Sequence, residues 1–376
     1  MSSSGPAPTI DIHHPHRSAL GRLIECLPSP RPLKLDKMKH VDALPPEVRK
    51  AGEFLLESIE DTAELNKMGR WMVKSIYEEA IQNHLQVAQR LASQPHAEIR
   101  RPVFVLGLPR TGSTYLFNML GATGAFRTMT HWESQKVASR KPDFLRRFEA
   151  DLMLKVMHRL APGFRTIHEI LLDGPEECTR PVMNCFVTQS LPGIFHIPAY
   201  NDYLDTADYR PTYDFFYKQL QVMGAQGKRW LLKSPIHIQA VDTILEVFPD
   251  ARFVHLHRNY EEVVCSICSL VATYRCMTSH RQNGPEIGEQ VHQYLSRDLA
   301  KCKAVLDAQP DKVLNLDFTR IVDAPVDTVR QVFEFAGEDF TAEDEASVRG
   351  EMGRSVRNKY GKHIYREEDY FPQGLQ

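Results

Sequence analysis

The sequence predicts an α/β fold in which helices flank a parallel β-sheet and a helical extension precedes it. Short strand-like segments that each contain an apolar run begin at residues 103, 229, 252 and 312, and each is followed by a segment whose apolar residues recur at helical spacing. Strands that alternate with helices in this way are typical of a parallel sheet, because parallel neighbours need a crossover connection. Residues 46–95 carry helical periodicity ahead of the first strand, which predicts two or three helices there.

Composition limits the classes of function. A chain of 376 residues with 42% hydrophobic residues can bury a large core in one or two domains. The net charge of −2 gives no general attraction to nucleic acid or to acidic membranes, so any anion site has to be local. The seven cysteines are odd in number and scattered, which favours reduced thiols and a cytoplasmic location. No apolar run reaches the length of a membrane span, so we expect a soluble protein.

Residues 103–115, Val-Phe-Val-Leu-Gly-Leu-Pro-Arg-Thr-Gly-Ser-Thr-Tyr, are the most informative stretch. They read as a strand, a phosphate loop and the start of a helix, and their glycine spacing matches the P-loop template except that Ser113 replaces the lysine. Backbone N–H groups and the helix N-terminus bind phosphate in such a loop. The missing lysine argues against a triphosphate, whereas Arg110 offers a forked cation for a diphosphate-like group. The predicted fold is therefore P-loop-like, with a phosphate loop after a strand of the parallel sheet.

A second candidate anion element covers residues 252–270, where a strand ends at Arg258 and a helix places Ser266 eight positions later. Together with Pro109-Arg110-Thr111-Gly112-Ser113-Thr114, this stretch resembles the two nucleotide elements of soluble, bacterial-type sulfotransferases. Those enzymes use 3′-phosphoadenosine 5′-phosphosulfate (PAPS) and release adenosine 3′,5′-diphosphate. The family often has proline two residues after the arginine, where this chain has Tyr260.

The resemblance implies a set of cofactor-binding residues. One group would hold the 5′-phosphosulfate and a second group the 3′-phosphate of PAPS. These residues are Arg110, Thr111, Gly112, Ser113, Thr114 and Tyr115, and then Arg258 and Ser266.

Lys233 is the predicted stabiliser of the leaving group. It ends an apolar strand, and Ser234-Pro235 supplies an N-cap and a first helical residue directly after it. A lysine at that place can neutralise the charge that builds on the bridging oxygen during sulfuryl transfer. Arg110 is expected to assist from the phosphate loop.

The catalytic base is predicted among residues 126–133, which read as a second strand and its exit loop. The resemblance implies a carboxylate a little over twenty residues past the phosphate loop, and Glu133 occupies that place. His131 is the competing candidate, and both stay open. The acidic turn at Glu176 and Glu177 is expected to face the acceptor.

The predicted organisation is a flexible tail over 1–16, a helical extension or cap over 17–98 and a sulfotransferase α/β domain over 99–376. The expected partner is a small-molecule, lipid or carbohydrate acceptor with a hydroxyl or amine group, and a homo-oligomer is possible. No nucleic acid partner is expected, because the net charge is only −2. No metal ion is expected, because fixed cations would neutralise the transferring group.

Two other functions stay open. A P-loop kinase or ATPase with a degenerate loop would need magnesium and a carboxylate after a strand, for which Asp317 is the best candidate. A catalytically inactive nucleotide-binding scaffold would use the N-terminal helices as its partner surface. Magnesium dependence and turnover would separate these functions from sulfuryl transfer.

Overall fold

The computed structural model describes residues 28, 30, 32–93, 96–160, 170–280, 283–354 and 366–375. The predicted tail over 1–16 lies outside these ranges. The described strands are β1 Val103–Leu106, β2 Phe126–Arg127, β3 Arg229–Lys233, β4 Arg252–His257 and β5 Val313–Asp317. The described α-helices are α1 Pro46–Thr62, α2 Lys67–Ser93, α3 Ser113–Thr123, α4 His131–Gln135, α5 Asp143–Leu160, α6 Thr179–Met183, α7 Ser190–Ile194, α8 Pro198–Tyr203, α9 Arg210–Met223, α10 Val241–Val247, α11 Tyr260–Thr278, α12 Gly284–Asp307, α13 Phe318–Asp323, α14 Pro325–Ala336 and α15 Ala342–Arg354.

The five strands form one parallel sheet in the order β2-β3-β1-β4-β5. This confirms the predicted α/β fold with helices on a parallel sheet. All four residues of β1 are buried, as expected for the central strand of a sheet that is covered on both faces. Its side chains alternate between two hydrophobic clusters, with Phe104 and Leu106 in one and Val103 and Val105 in the other.

The larger cluster joins one face of the sheet to the N-terminal helices. Leu55 and Ile59 of α1 and Tyr77 of α2 belong to the same cluster as Phe104 of β1. The Tyr77 hydroxyl donates to the Gly52 carbonyl at 2.6 Å and so ties α2 to α1. The smaller cluster covers the opposite face with side chains of α3 and α14.

Strand order places a crevice beside the carboxyl end of β1. The chain leaves β1 towards β2 and β3 on one side, and β4 and β5 lie on the other side. In sheets of this kind ligands bind at such a switch point, outside the carboxyl ends of the strands. The phosphate loop follows β1 and Arg258 follows β4, so the two predicted nucleotide elements border one crevice.

Some elements are shorter than their sequence patterns predict. The strand predicted within residues 126–133 is confined to Phe126–Arg127, because Thr130 caps a helix that starts at His131. The helix predicted from Pro235 begins as a 3-10 turn, Pro235–Ala240, before α10. Among the described residues, no helix combines the length and the apolar composition that crossing a bilayer requires.

Candidate active site

The phosphate loop, residues 107–112, joins β1 to α3 through backbone turns in the left-handed region. Gly107, Arg110 and Gly112 have φ angles of 145°, 72° and 81°. Glycine adopts such angles readily, whereas Arg110 is strained by about 1–3 kcal/mol. The Thr111 hydroxyl donates to a backbone carbonyl of the loop at 2.7 Å and holds the turn closed. The first N–H groups of an α-helix have no intrahelical partner, and the N-cap residue of α3 is a glycine, which has no side chain to accept hydrogen bonds from them.

Gly112 also has a packing constraint. A Cβ at this position would lie 3.1 Å from the Phe318 ring of α13. The Arg258 guanidinium covers the same ring at 4.3 Å from its centroid. The start of α3, the start of α13 and the end of β4 therefore pack together around one aromatic ring.

Arg258 reaches across the crevice to the phosphate loop. Its Nη1 donates to the Arg110 carbonyl at 2.8 Å, and its Nε donates to Glu262 at 3.0 Å. Asn259 caps α11 and accepts from the Glu261 backbone N–H at 2.8 Å, so the arginine sits at a fixed helix start. Ser266 lies on the same helix and is buried.

Lys233 lies at the end of β3, where Val105 of β1 is its register partner. Its side chain is 3% exposed and forms an ion pair with Glu177. Its Nζ also donates to the Thr114 hydroxyl at the start of α3, at 3.0 Å. The Thr179 hydroxyl donates to the other oxygen of Glu177 at 3.2 Å. Lys233 therefore contacts both the Glu177 carboxylate and the start of α3.

Backbone contacts fix the acidic segment beside Lys233. The Cys178 N–H donates to the Lys233 carbonyl at 2.9 Å, and the Glu176 N–H donates to the Met129 carbonyl at 2.8 Å. The Thr179 and Ser234 hydroxyls lie 2.8 Å apart. The segment around Glu176 is therefore fixed between the end of β3 and the chain that leads into α4.

His131 and Glu176 form a second polar pair. His131 Nδ1 lies 2.6 Å from a Glu176 oxygen, and both side chains are less than one-sixth exposed, at 9% and 14%. His131 Nε2 lies 3.2 Å from the Gln135 side-chain nitrogen. With the amide nitrogen facing the ring, Nε2 accepts a hydrogen bond and Nδ1–H donates to the carboxylate.

Glu133 makes several contacts of its own. One oxygen lies 2.5 Å from Arg127 Nη2, and the other accepts from Arg127 Nη1 at 3.1 Å. That second oxygen also accepts from the Thr130 backbone N–H at 2.9 Å and from its hydroxyl at 2.8 Å. Burial favours the neutral acid, but the hydrogen bonds and charge of Arg127 and the Thr130 hydrogen bonds outweigh it and lower the pKa of Glu133. Glu133 is thus held ionised as the capping-box residue of α4.

The site brings together only part of the set of residues predicted from the sequence. Thr114 and Lys233 are in contact, and Arg110 and Arg258 are in contact. Tyr115 lies in the first turn of α3, where burial and then the charge of Glu351 raise its pKa. Glu133 and His131 both lie on α4.

Glu177 was not among the predicted catalytic residues. The sequence signal was the acidic turn, which was expected to face the acceptor. The sequence does not reveal the ion pair between Glu177 and Lys233, because the two residues are 56 positions apart. They come into contact only where the acidic segment packs against the end of β3.

Comparison with known proteins identifies the class to which this arrangement belongs. The model of the sulfotransferase family matches residues 102–342. Omega-hydroxy-beta-dihydromenaquinone-9 sulfotransferase Stf3 of Mycobacterium bovis is 24% identical over 280 residues, which cover 67% of this chain. The same protein of Mycobacterium tuberculosis gives the same values. The matched region spans 65% of the length of these curated relatives.

Two solved structures share the fold. Sulfotransferase STF1 of Mycobacterium tuberculosis H37Rv has 26% identity and a TM-score of 0.74 over 89% of this chain and 92% of its own. Sulfotransferase STF9 of Mycobacterium avium has 22% identity and a TM-score of 0.75, with 87% of both chains covered. The family match runs from just before β1 to the first residue of α15 and includes the phosphate loop, Lys233 and Arg258. This chain belongs to the sulfotransferase family.

Proposed function

We propose that this chain transfers the sulfuryl group of PAPS to a hydroxyl group of a lipid-like acceptor. Family membership supports sulfuryl transfer. The curated relatives are named for a hydroxylated menaquinone derivative, which favours a lipid over a carbohydrate or another small molecule. The observation that carries the proposal is the contact of Lys233 with both Thr114, at the start of α3, and Glu177.

The donor set of the crevice fits PAPS. The uncapped N-terminus of α3 offers backbone N–H groups to a 5′-phosphosulfate, and Arg110 extends this positive surface. Arg258, on the other side of the crevice, would hold the 3′-phosphate together with Ser266. An arginine suits a terminal phosphate because its fork can bind two oxygens at once.

Lys233 would stabilise the leaving group. When bound, PAPS supplies an activated sulfuryl group, and adenosine 3′,5′-diphosphate is the product. As the bond between sulfur and the bridging oxygen breaks, negative charge builds on that oxygen, and the buried ammonium of Lys233 neutralises it. Burial strengthens this effect because little water screens the charge.

Glu177 is our proposed base. The acceptor oxygen forms the new bond to sulfur while its proton passes to the Glu177 carboxylate. This carboxylate lies beside Lys233, and its side chain is 20% exposed, so an acceptor can reach it. Glu133 is engaged by Arg127 and by its cap, and its lowered pKa makes it a weaker base. His131, supported by Glu176, is the competing base.

A magnesium-dependent kinase is less well supported by the geometry. Asp317 ends β5, the edge strand, and β4 lies between it and β1. A carboxylate that holds magnesium beside the phosphate loop needs a place close to the start of α3. Thr114 is instead in contact with Lys233.

Calorimetric binding of adenosine 3′,5′-diphosphate tests the proposal. We expect metal-independent binding to the wild type and binding about 10- to 100-fold weaker to Arg258→Ala, because a charged hydrogen-bonding partner of the phosphate is lost. Arg349→Ala on α15 is the matched control, since that arginine forms an exposed pair with Glu345, and it should bind like the wild type. Sulfate transfer from labelled PAPS to a long-chain isoprenoid alcohol then tests the acceptor class.

Preference for ATP with magnesium over the diphosphate would contradict the proposal and favour the kinase. Tight diphosphate binding without transfer to any hydroxyl acceptor would favour the inactive scaffold.

A further inference from the structure

Helix α5 exposes an apolar stripe to solvent. Phe144 is 68% exposed, Phe148 is 64% exposed and Leu152 is 53% exposed, and the three follow one another at a spacing of four residues. Residues four apart lie on one face of a helix. Leu145 and Met153 widen the stripe with exposures of 40% and 56%. Five large apolar side chains on one helix form a patch of the kind that marks an interaction surface.

This stripe is not the face by which α5 packs on the protein. Ala150 and Leu154 are 3% and 7% exposed and form the inner face. At about 100° per residue, Ala150 lies roughly 200° around the axis from Phe148. Val156 and Met157 pack against a small cluster around Met277. The helix therefore has apolar residues on both sides, and only the inner side is covered by the described residues.

The charge of this region differs from that of the chain as a whole. Residues 136–160 contain seven Lys or Arg residues against three Asp or Glu residues, whereas the whole chain has a net charge of −2. Arg140 and Arg159 form no ion pair with the described residues, and both are exposed. An exposed apolar stripe with surrounding cations is typical of helices that lie in the interface of an anionic bilayer.

A second copy of this chain would fit the stripe less well than an anionic lipid surface. A two-fold interface would place the same face of each copy against the other. Two regions with excess positive charge would then face each other, which costs free energy. Anionic lipid headgroups supply the opposite charge, and their acyl chains take up the phenylalanine rings.

Contacts tie α5 directly to the candidate active site. The guanidinium groups of Arg146 and Arg147 lie 4.7 Å and 5.7 Å from the ring centroid of Trp132, between His131 and Glu133 on α4. Arg147 also pairs with Asp173 at 2.6 Å, three residues before Glu176. A surface that binds α5 would therefore lie beside the acceptor side of the proposed site.

We infer that α5 docks this protein onto an anionic lipid surface, with Phe144, Phe148 and Leu152 inserted at the boundary between the headgroups and the acyl chains. The inference goes beyond the proposed sulfuryl transfer, because docking does not require turnover. It also gives a lipid acceptor a short path from the bilayer to the region of Glu177.

Vesicle sedimentation tests the inference on the full chain. We expect binding to phosphatidylcholine vesicles that contain about 30 mol% phosphatidylglycerol, and much weaker binding to phosphatidylcholine alone. The double variant Phe144→Ser/Phe148→Ser should lower the partition coefficient at least about tenfold, since apolar insertion is lost. Arg140→Glu should lower it about fivefold, and salt at about 0.5 M should weaken wild-type binding as well.

Val322→Ser is the matched control. Val322 is 45% exposed but belongs to α13, so its loss should leave vesicle binding unchanged. Binding of adenosine 3′,5′-diphosphate should be the same in all variants, which separates docking from the donor site and confirms that the variants are folded.

Three outcomes would overturn the inference. The first is no binding of the wild type to anionic vesicles. The second is binding that the double variant retains. The third is a dimer in analytical ultracentrifugation that the double variant dissociates, because the stripe would then be an interface between copies.

Discussion

Glu133 and Glu177 are carboxylates with different surroundings, and we propose that this difference decides which of them takes the proton of the acceptor. Glu133 accepts from Arg127 through both oxygens and completes the cap of α4. Glu177 pairs with Lys233, a cation that the proposed chemistry redirects to the leaving group. When Lys233 turns to the leaving group, the Glu177 carboxylate becomes available as a base. Glu133 keeps its hydrogen bonds in the cap of α4, so its role is structural.

Glu133→Gln should therefore mainly affect stability. The change leaves Arg127 without its ionic partner in a largely buried place, and we expect a loss of about 3 kcal/mol in the free energy of unfolding near pH 7. Because the folded-state pKa of Glu133 is lowered, its contribution is present above its ordinary pKa of 4.5 and is lost as pH falls further. Urea unfolding at about pH 7 and about pH 4 measures both effects.

Glu98→Gln is the matched control, since Glu98 pairs with Arg100 on the surface with 65% exposure. It should change the free energy of unfolding by less than about 0.5 kcal/mol. An effect of Glu133→Gln that grows as pH falls would contradict the structural role.

Glu177→Gln should lower turnover, and because it leaves the buried Lys233 without its ionic partner, it should also lower the free energy of unfolding by about 3 kcal/mol. We expect kcat to fall about 10²- to 10⁴-fold, the usual range for loss of a general base, while the affinity for adenosine 3′,5′-diphosphate changes little. Steady-state kinetics with PAPS and an isoprenoid alcohol would measure this. A loss of that size in His131→Gln, with Glu177→Gln still active, would assign the base to His131 instead.

At the scale of elements, the sequence predicts best where the signal is local. The cores of β1, β3, β4 and β5 follow from apolar runs, and α11 begins directly after Asn259, as its capping pattern predicts.

Elements that depend on distant contacts are predicted poorly. Residues 191–200 enter α7 and α8, where Leu191 and Tyr200 are fully buried. Proline within these short helices hides their periodicity, and packing on α1 and the sheet decides their structure. The contact between Lys233 and Glu177 was missed for the same reason, because strand pairing sets it and sequence spacing does not.

The junction of α2 and α11 allows a direct test of helix packing. A Cβ at Gly69 would lie 2.1 Å from the Thr278 carbonyl oxygen, so the two helices approach too closely for any side chain. The Asn66 N–H donates to the same carbonyl at 3.0 Å and fixes this approach. We expect Gly69→Ala to lower the free energy of unfolding by about 1–3 kcal/mol, as overpacking does.

Gly350→Ala on α15 is the control with the opposite sign. A Cβ there meets nothing within 4 Å, so the substitution should stabilise the helix by about 0.5–1 kcal/mol. Urea unfolding of both variants measures the difference. Equal effects of the two substitutions would show that backbone propensity, and not the close approach, determines the result.

At the scale of the whole molecule, the N-terminal helices and one face of the sheet bury a common core. Leu55 of α1 and Tyr77 of α2 share a cluster with Phe104 and Phe253 of the sheet. The predicted division into an extension over 17–98 and a domain over 99–376 stays a prediction. The common core indicates that the two segments unfold together.

Buried histidines should make the whole molecule sensitive to mild acid. Burial lowers the pKa of His237 to about 3 and that of His84 to about 4; burial and then the charge of His257 lower the pKa of His255 to about 4. Each folded-state pKa lies below the ordinary 6.5, so the unfolded chain binds more protons between these values. Stability is therefore greatest above about pH 6.5 and falls as pH drops towards 4.

Between about pH 7 and pH 5.5 we expect a loss of about 1 kcal/mol per histidine, or about 3–4 kcal/mol for the three. Urea unfolding across this range measures the slope. His84→Gln should remove roughly one-third of it, whereas His40→Gln, at an exposed position, should leave it unchanged. A slope that does not respond to His84→Gln would assign the acid sensitivity to other groups.

The central place of β1 also has a consequence for synthesis of the chain. Both neighbours of β1 come from much later in the sequence, and Thr114 and Lys233 are 119 residues apart. At about 5–20 residues per second, a ribosome needs roughly 6–24 s to span that distance. During this time the apolar residues of β1 have no strand on either side and remain open to aggregation or to a chaperone. The phosphate loop therefore takes its final shape only after β3 and β4 have emerged.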